Sequence, residues 1–209
     1  MSIAKQLRKA LALTSKHEIP RHEKWRLDLY DEAEMNEHGY RSESFNVRRE
    51  FNFLTIGDSW AEAGGVDFPN SFGQKLKVKI QQKTGLQACH WNLGIGGKGC
   101  DYIARMLAVA VPQLKPDFVM VLFPADLVRR EYFLETGEVF NLNFGAIHAV
   151  KHQTERLIER GIEPHHYDII EAFYETQSNK EYAVRTIHSI LLFSEVLNAN
   201  GVNWLFSMT

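Results

Sequence analysis

The pattern of apolar residues predicts strands that alternate with helices over most of the chain. Short apolar runs at 51–56, 86–92 and 117–123 have the length and composition of buried strands. Between them, apolar residues recur every three or four positions, which is typical of helices that bury one face. Strand-length apolar runs separated by helical segments predict a mostly parallel sheet covered by helices.

Capping and breaking residues predict where the first two of these helices begin and end. Asn70 is expected to cap the first helix and Gly85 to end it. Asp101 is expected to cap the second, which Pro112 and Pro116 should end. These positions leave loops directly after the first and second strands.

A third helix is predicted near the end of the sequence. Ser178 and Glu181 form a capping box, and Gly201 is expected to stop the helix before a fourth strand at 202–208. The apolar residues assigned to its buried side are Tyr182, Ile187, Ile190, Leu191 and Leu197.

The first fifty residues differ from the remainder. Residues 2–14 show the spacing of a short amphipathic helix, and residues 15–50 are polar and mixed. The sequence is therefore divided into an N-terminal helical and irregular extension, 1–50, and one domain, 51–209.

Composition limits the class of protein and its partners. The 209 residues are 44% hydrophobic and 24% charged, as in globular proteins, and 24 basic against 26 acidic residues give no reason to expect nucleic acid. The apolar run at 10–13 is too short for a signal peptide, and no apolar stretch is long enough to span a membrane. We therefore expect a cytoplasmic protein without membrane contact, in which Cys89 and Cys100 are reduced thiols. The oligomeric state is left open.

Candidate chemistry begins at the end of the first strand. Gly57 permits a sharp turn there, and it is followed by Asp58 and Ser59. In open parallel sheets, ligands bind in the crevice beyond the carboxyl ends of the strands. Ser59 is thus the first candidate for a functional residue.

A glycine cluster follows the second strand and admits three interpretations. A phosphate-binding Walker loop fails, because Asn92 stands where its first glycine should be and Gly99 where its Ser or Thr should be. Gly94, Gly96 and Gly99 do satisfy a dinucleotide-binding pattern, although no acidic residue ends the next strand. In the third interpretation, the cluster belongs to the same site as Ser59.

The two segments together resemble the SGNH, or GDSL-type, serine hydrolases. Gly57-Asp58-Ser59 with Gly64 or Gly65 is similar to their first motif, and Asn92-x-Gly94-x-x-Gly97 is similar to their second. The resemblance implies a three-layer α/β/α sandwich with a flavodoxin-like layout. It also implies hydrolysis of an acyl ester, with Ser59 as nucleophile, Asp58 beside it and the N–H groups of Ser59 and Gly97 as oxyanion donors. Asn92 and Gly94 would then lie at the substrate.

The third motif departs from this family. Asp126 matches its aspartate and is assigned, with Asp58, to the catalytic residues. Ala125 replaces the asparagine that donates to the oxyanion. Arg129 and Arg130 are the replacements considered, and Arg129 is assigned to substrate binding. No Asp-x-x-His pair follows the last strand, so we expect the domain to be incomplete at its C-terminus and the base to lie outside this sequence. His148 and His152 have metal-ligand spacing but lack a third ligand.

The leading prediction is a carboxylic ester hydrolase that needs neither cofactor nor metal. Small acyl, glycan and lipid esters all stay open as substrates, because no residues describe an acyl pocket. Two alternatives remain: a catalytically impaired SGNH-like scaffold used for binding or assembly, and a nucleotide-binding α/β protein.

Overall fold

The computed structural model describes residues 19, 30–124, 129–133, 139–142, 168, 171–172 and 175–208. Within them the predicted alternation of strands and helices is confirmed. The elements in chain order are β1 (Phe51–Gly57), α1 (Ser59–Glu62), α2 (Phe72–Thr84), β2 (Ala88–Asn92), α3 (Cys100–Leu114), β3 (Phe118–Phe123), β4 (Arg130–Phe133), β5 (Val139–Leu142), α4 (Asn179–Ala199) and β6 (Asn203–Met208). Single turns of 3-10 helix lie at Glu32–Glu34 and Phe68–Asn70.

Four strands form the central sheet in the order β2-β1-β3-β6, and every neighbouring pair is parallel. Phe53 is in register with His90 on one side and with Phe118 on the other. Strand order reverses at β1, because β2 lies on one side of it and β3 on the other. Such a reversal opens a crevice beyond the strand ends, and Ser59 follows β1 at this point.

Helices cover both faces of the sheet, which confirms the three-layer α/β/α prediction. On one face α2 packs so closely that a Cβ on Gly73 would lie 2.0 Å from the ring of His90. On the other face α3 and α4 pack together over the sheet. The core there joins residues of the strands with residues of both helices: Leu54, Ile56, Trp91, Val119, Val121, Ile103, Leu107, Phe193 and Leu197.

Two predicted helix caps are wrong by one or two residues. The cap of α2 is Ser71, whose Oγ accepts from the Gln74 N–H at 3.3 Å, while Asn70 ends the preceding turn. The cap of α3 is Gly99, and Asp101 lies inside the first turn. The side chain of Asp101 is engaged elsewhere, since it accepts from the backbone N–H of Glu131 at 2.7 Å.

The C-terminal ends of these helices are closer to prediction. Gly85 ends α2 in the left-handed conformation, as predicted. Helix α3 continues through Pro112 to Leu114, because a proline in the last turn forfeits only one hydrogen bond of the helix.

The N-cap of α4 is Ser178, as predicted, but the Glu181 carboxylate accepts from Arg185 Nε instead of completing the capping box. Part of the predicted buried side is also wrong. Ser178 caps the helix and accepts from the N–H of Glu181 at 3.2 Å. Ile187 and Leu191 are 53% and 56% exposed, whereas Phe193 is fully buried. The buried stripe follows Tyr182, Phe193 and Leu197, so both mispredicted residues lie on the adjacent, outer face of the helix.

An antiparallel pair that the sequence did not predict follows β3. Strands β4 and β5 pair with each other, with Arg130 opposite Leu142 and Phe133 opposite Val139. This segment borders the site, because Arg129 lies against Gly99 and Glu131 bonds to Lys98, both in the loop after β2.

Two further features bear on the expectations from composition. Cys89 and Cys100 are free and buried, and burial raises the pKa of each thiol to about 12. Among the helices of the described residues, none has both the length and the apolar character needed to cross a bilayer.

Candidate active site

Ser59 occupies the first position of a one-turn helix directly after β1. Gly57, the last residue of β1, packs so closely on β3 that a Cβ there would be 2.4 Å from the carbonyl oxygen of Leu122. Ser59 is exposed, and within the described part of the chain its hydroxyl has no hydrogen-bond partner. Trp60 beside it is 69% exposed. The serine is therefore accessible to a molecule that approaches the carboxyl end of the sheet.

Asp58 fixes the direction in which the chain leaves β1. Its buried carboxylate accepts from the Trp60 N–H at 3.0 Å and so caps helix α1. Its second oxygen accepts from Nη1 of Arg129 at 2.8 Å. The structure thus brings together two residues that the sequence predicted for the site and that lie 71 positions apart.

The loop after β2 lies directly against helix α1. A Cβ on Gly94 would be 2.5 Å from backbone atoms of Ala61 and Glu62, so only glycine fits there. The Gly96 N–H donates to the buried carboxylate of Glu62 at 2.7 Å. These contacts hold the second motif of the sequence beside the first, three residues from Ser59.

Two backbone N–H groups in this arrangement are available to a ligand. Gly97 is in the left-handed conformation, with φ at 78°, directly after the residue held by Glu62. Within the described ranges, neither the Ser59 N–H nor the Gly97 N–H donates to any acceptor. Unpaired N–H groups of this kind are the donors from which oxyanion holes are built.

Asn92 is buried and fully bonded at the end of β2. Its Oδ1 accepts from Thr55 Oγ1 at 3.0 Å and from the Gly94 N–H at 2.9 Å. Its Nδ2 donates to the carbonyl oxygens of Ala61, at 2.9 Å, and Arg41, at 3.2 Å. This side chain therefore joins β1, α1 and the glycine loop, and direct contact of Asn92 with substrate stays a prediction.

His90 extends this network on the α2 side of the sheet. Its Nε2 lies 2.7 Å from Thr55 Oγ1, and its Nδ1 lies 3.2 Å from the side-chain nitrogen of Gln74. The Thr55 hydroxyl donates its hydrogen bond to Asn92 Oδ1, so it can only accept from His90. The imidazole of His90 is therefore neutral with its hydrogen on Nε2. Burial, with a smaller contribution from the charge of Lys77, lowers the pKa of His90 to about 3.

This buried histidine predicts a loss of stability in acid. The unfolded chain binds a proton on His90 below about pH 6.5, whereas the folded protein does not until about pH 3. The free energy of unfolding should therefore fall by about 1 kcal/mol for each unit by which the pH is lowered between these two limits. Urea unfolding at a series of pH values measures this slope. It should persist in His188→Gln, where the replaced histidine is exposed, and flatten in His90→Gln; equal slopes in both variants would contradict the prediction.

A buried charge cluster supports the far end of the glycine loop. The carboxylate of Glu131 in β4 accepts from Lys98 Nζ at 3.0 Å and from two nitrogens of Arg105, each at 2.9 Å. The backbone of Arg129 also lies against Gly99, where a Cβ would be 2.2 Å from its carbonyl oxygen. The segment that carries Arg129 is thus anchored to the loop after β2.

Sequence reasoning missed two residues of this neighbourhood, Glu62 and Arg41. Arg41 is buried, and its guanidinium donates to the carbonyl oxygens of Ala63 and Val66, both at 2.6 Å. The Gly-Tyr-Arg segment at 39–41 resembles a segment that precedes the nucleophile strand in some SGNH-like proteins, but no role was predicted from it for Arg41. For Glu62, which lies three residues after Ser59, no signal in the sequence indicated burial.

Several predicted residues are not placed at the site. Ala125, Asp126, His148, His152 and the helix expected at 2–14 lie outside the described residues. None of the described histidines contacts Ser59: His90 is bonded to Thr55, His38 Nδ1 lies 2.9 Å from the Ile19 carbonyl oxygen, and His188 is exposed on α4. Over the residues that the structure describes, there is also no group of His, Cys, Asp and Glu side chains suited to a metal ion.

Comparison with known proteins finds similarity in structure only. No protein-family model matches the sequence, and no curated protein sequence matches it. The solved structures similar to the chain include AlinE4, an SGNH-hydrolase family esterase, with 16% identity, 77% of each chain covered and a TM-score of 0.37. TesA has 15% identity over 73% of this chain and 76% of its own, with a TM-score of 0.33.

A third similar structure is a catalytic mutant of Axe2, an acetylxylan esterase from Geobacillus stearothermophilus. It is 14% identical, covers 77% of each chain and has a TM-score of 0.33. At such identities and TM-scores the likeness carries no weight for activity. The assignment of the fold therefore rests on the parallel strand order and register of the sheet itself.

Proposed function

We propose that this protein is an SGNH-type serine hydrolase that cleaves an acyl ester with Ser59 as nucleophile. The observation that carries the proposal is the contact between helix α1 and the glycine loop. Because Glu62 accepts from the Gly96 N–H at 2.7 Å, the unpaired N–H of Gly97 is held beside the helix that begins with the exposed Ser59. A nucleophile and backbone donors at one strand edge are what acyl transfer requires.

In the proposed reaction, Ser59 Oγ adds to the acyl carbonyl carbon and loses its proton to a base. The carbonyl oxygen becomes an oxyanion that accepts from the N–H groups of Ser59 and Gly97. The bond from carbon to the alcohol oxygen then breaks, the alcohol leaves with a proton, and water hydrolyses the acyl ester formed on Ser59. No histidine of the described residues contacts Ser59, so the base is assigned to a residue outside the described part of the chain.

Arg129 is the residue proposed to assist where the family pattern has its asparagine. Its guanidinium lies 2.8 Å from Asp58, the neighbour of Ser59, and its side chain is partly exposed. An arginine in this position can place further N–H donors toward developing negative charge. Asp126 keeps its predicted catalytic role as part of the same proposal.

Substrate contact is proposed for the surface around Trp60. The indole is 69% exposed and lies next to the nucleophile, where it offers an apolar face to the acyl or alcohol part of an ester. Esters of small molecules, sugars and lipids are the proposed substrates.

A fluorophosphonate probe tests the proposal directly, because it reacts covalently with an activated serine. We expect one probe per chain, attached to Ser59 by peptide mass spectrometry, and no labelling of Ser59→Ala. Ser178→Ala is the matched control, since the Ser178 hydroxyl caps α4 by accepting from the Glu181 N–H and its loss should leave labelling unchanged. A wild-type protein that takes up no probe would contradict the assignment of Ser59 as a nucleophile.

The same labelling experiment distinguishes the proposed hydrolase from an alternative, a catalytically impaired SGNH-like scaffold. It is favoured by the absence of contact between Ser59 and any histidine of the described residues. A nucleotide-binding site is disfavoured, because the carboxylate of Glu62 already accepts from Gly96 where a pyrophosphate would need a donor.

A further inference from the structure

One short segment before β1 contacts both loops of the candidate site. We define it as the strap, residues Tyr40, Arg41 and Ser42. All three are buried, with 3%, 4% and 5% of their surfaces exposed. They belong to the part of the chain that the sequence placed in an irregular extension, so their burial indicates a role within the domain.

Arg41 connects the strap to the loop that follows the nucleophile helix. Nη1 donates to the Ala63 carbonyl oxygen and Nη2 to that of Val66, both at 2.6 Å, while Nε donates to Glu34 at 2.8 Å. Ala63 has a φ of 64°, a conformation that residues other than glycine seldom adopt. Because that conformation is disfavoured, the loop needs external bonds to hold it, and the buried guanidinium supplies two.

The rest of the strap connects to β2 and the glycine loop. Ser42 Oγ accepts from the Asn92 N–H at 2.9 Å, and the Arg41 carbonyl oxygen accepts from Asn92 Nδ2 at 3.2 Å. Tyr40 is buried in the same core as Tyr102, whose hydroxyl donates to the Leu93 carbonyl oxygen at 2.7 Å. Arg41 and Ser42 thus bond directly to Asn92, the residue that precedes the loop carrying Gly97.

We infer that the strap positions the two halves of the active site relative to each other and that Arg41 is its principal positioning residue. The inference rests on the proposed function, since it assigns Arg41 to the nucleophile loop of that site. Arg41 does not reach the reacting atoms; it fixes the carbonyl groups of residues that follow Ser59. A displacement of about 1 Å at a nucleophile can lower the rate on the order of 100-fold. The bonds that the strap makes to the nucleophile loop can therefore control turnover.

The first experiment compares Arg41→Ala with Arg48→Ala. Arg48 is a matched control, because its guanidinium also donates to two backbone carbonyls, those of Leu114 and Lys115. These carbonyls lie at the C-terminal end of α3, away from Ser59. We expect Arg41→Ala to lower kcat for p-nitrophenyl acetate by about 100-fold with little change in KM, and Arg48→Ala to leave kcat unchanged.

Rescue by added guanidinium provides a readout that a general loss of stability would not produce. Guanidinium at concentrations far below those that unfold the protein should restore part of the kcat of Arg41→Ala and none of the activity of Ser59→Ala. Ser42→Ala, a smaller change, should lower kcat in the same direction if Arg41→Ala fails to fold. Equal kcat values for Arg41→Ala and Arg48→Ala, or for Ser42→Ala and wild type, would overturn the inference.

Hydrogen exchange tests the strap independently of catalysis. Amides of residues 59–66 and 93–97 should exchange faster in Arg41→Ala than in wild type and in Arg48→Ala. Unchanged exchange in both segments would overturn the inference. If the wild-type protein takes up no fluorophosphonate, the proposed hydrolase function fails, and the exchange measurement still decides whether the strap holds the two loops.

Discussion

Replacement of Ser59 by alanine should lower kcat/KM for p-nitrophenyl acetate by on the order of 10⁴-fold or more. The reason is that the hydroxyl is the only group at this position that can form the acyl intermediate, whereas the backbone donors survive the substitution. The side chain makes no hydrogen bond within the described part of the chain, so the free energy of unfolding should change little.

Initial rates measured beside urea unfolding curves check both halves of this expectation. Ser178→Ala is again the control, because it removes a serine hydroxyl whose bond is to the N-terminus of α4. It should lose up to about 1 kcal/mol of stability and none of the activity, the opposite of Ser59→Ala. Turnover that persists in Ser59→Ala would assign the hydrolysis to another group and remove the main support for the proposed mechanism.

Substitution of Gly94 by alanine should lower both turnover and stability. A Cβ at this position would lie 2.5 Å from the backbone of Ala61 and Glu62, so the glycine loop must move away from helix α1. That movement would strain the bond between Gly96 and Glu62 and displace the N–H of Gly97. We expect kcat to fall by on the order of 100-fold, the loss associated with one misplaced oxyanion donor, together with a lower Tm.

Gly64→Ala is the matched control on the nucleophile loop. A Cβ on Gly64 would lie 3.6 Å from the carbonyl oxygen of Ser59 and 3.9 Å from its Cβ, which are ordinary contact distances. It should therefore keep nearly wild-type kcat and Tm. Similar rates for Gly94→Ala and Gly64→Ala would show that the packing of the glycine loop on α1 does not govern turnover.

The sheet and its helices could be predicted because their signals are local. Continuous apolar runs predicted β1, β2 and β3, and the box at Ser178–Glu181 predicted the start of α4. Errors arose where two adjacent residues compete for one role. Ser71 caps α2 in place of Asn70 because its Oγ accepts from the Gln74 N–H. The sequence does not show which of two adjacent capping residues will reach that N–H.

The buried side of α4 failed for a related reason. Apolar residues surround much of this helix, so periodicity alone did not select a single face. Packing against α3 and the sheet buries Phe193 and Leu197 and leaves Ile187 and Leu191 exposed. The antiparallel pair β4–β5 was not foreseen, because its two four-residue strands are too short to give a clear pattern.

The sequence by itself determined the alternation of the four central strands with helices α2, α3 and α4, and the positions of the two glycine-containing motifs at strand ends. Only the tertiary structure decided how these motifs are joined: Asp58 to Arg129 over 71 positions, Glu62 to Gly96 over 34, and Arg41 to Ala63 over 22. Periodicity and capping act over a few residues, so they are visible in the sequence. A buried ion pair or a guanidinium on a carbonyl depends on which segments the sheet brings together, and that is fixed only when the chain has folded.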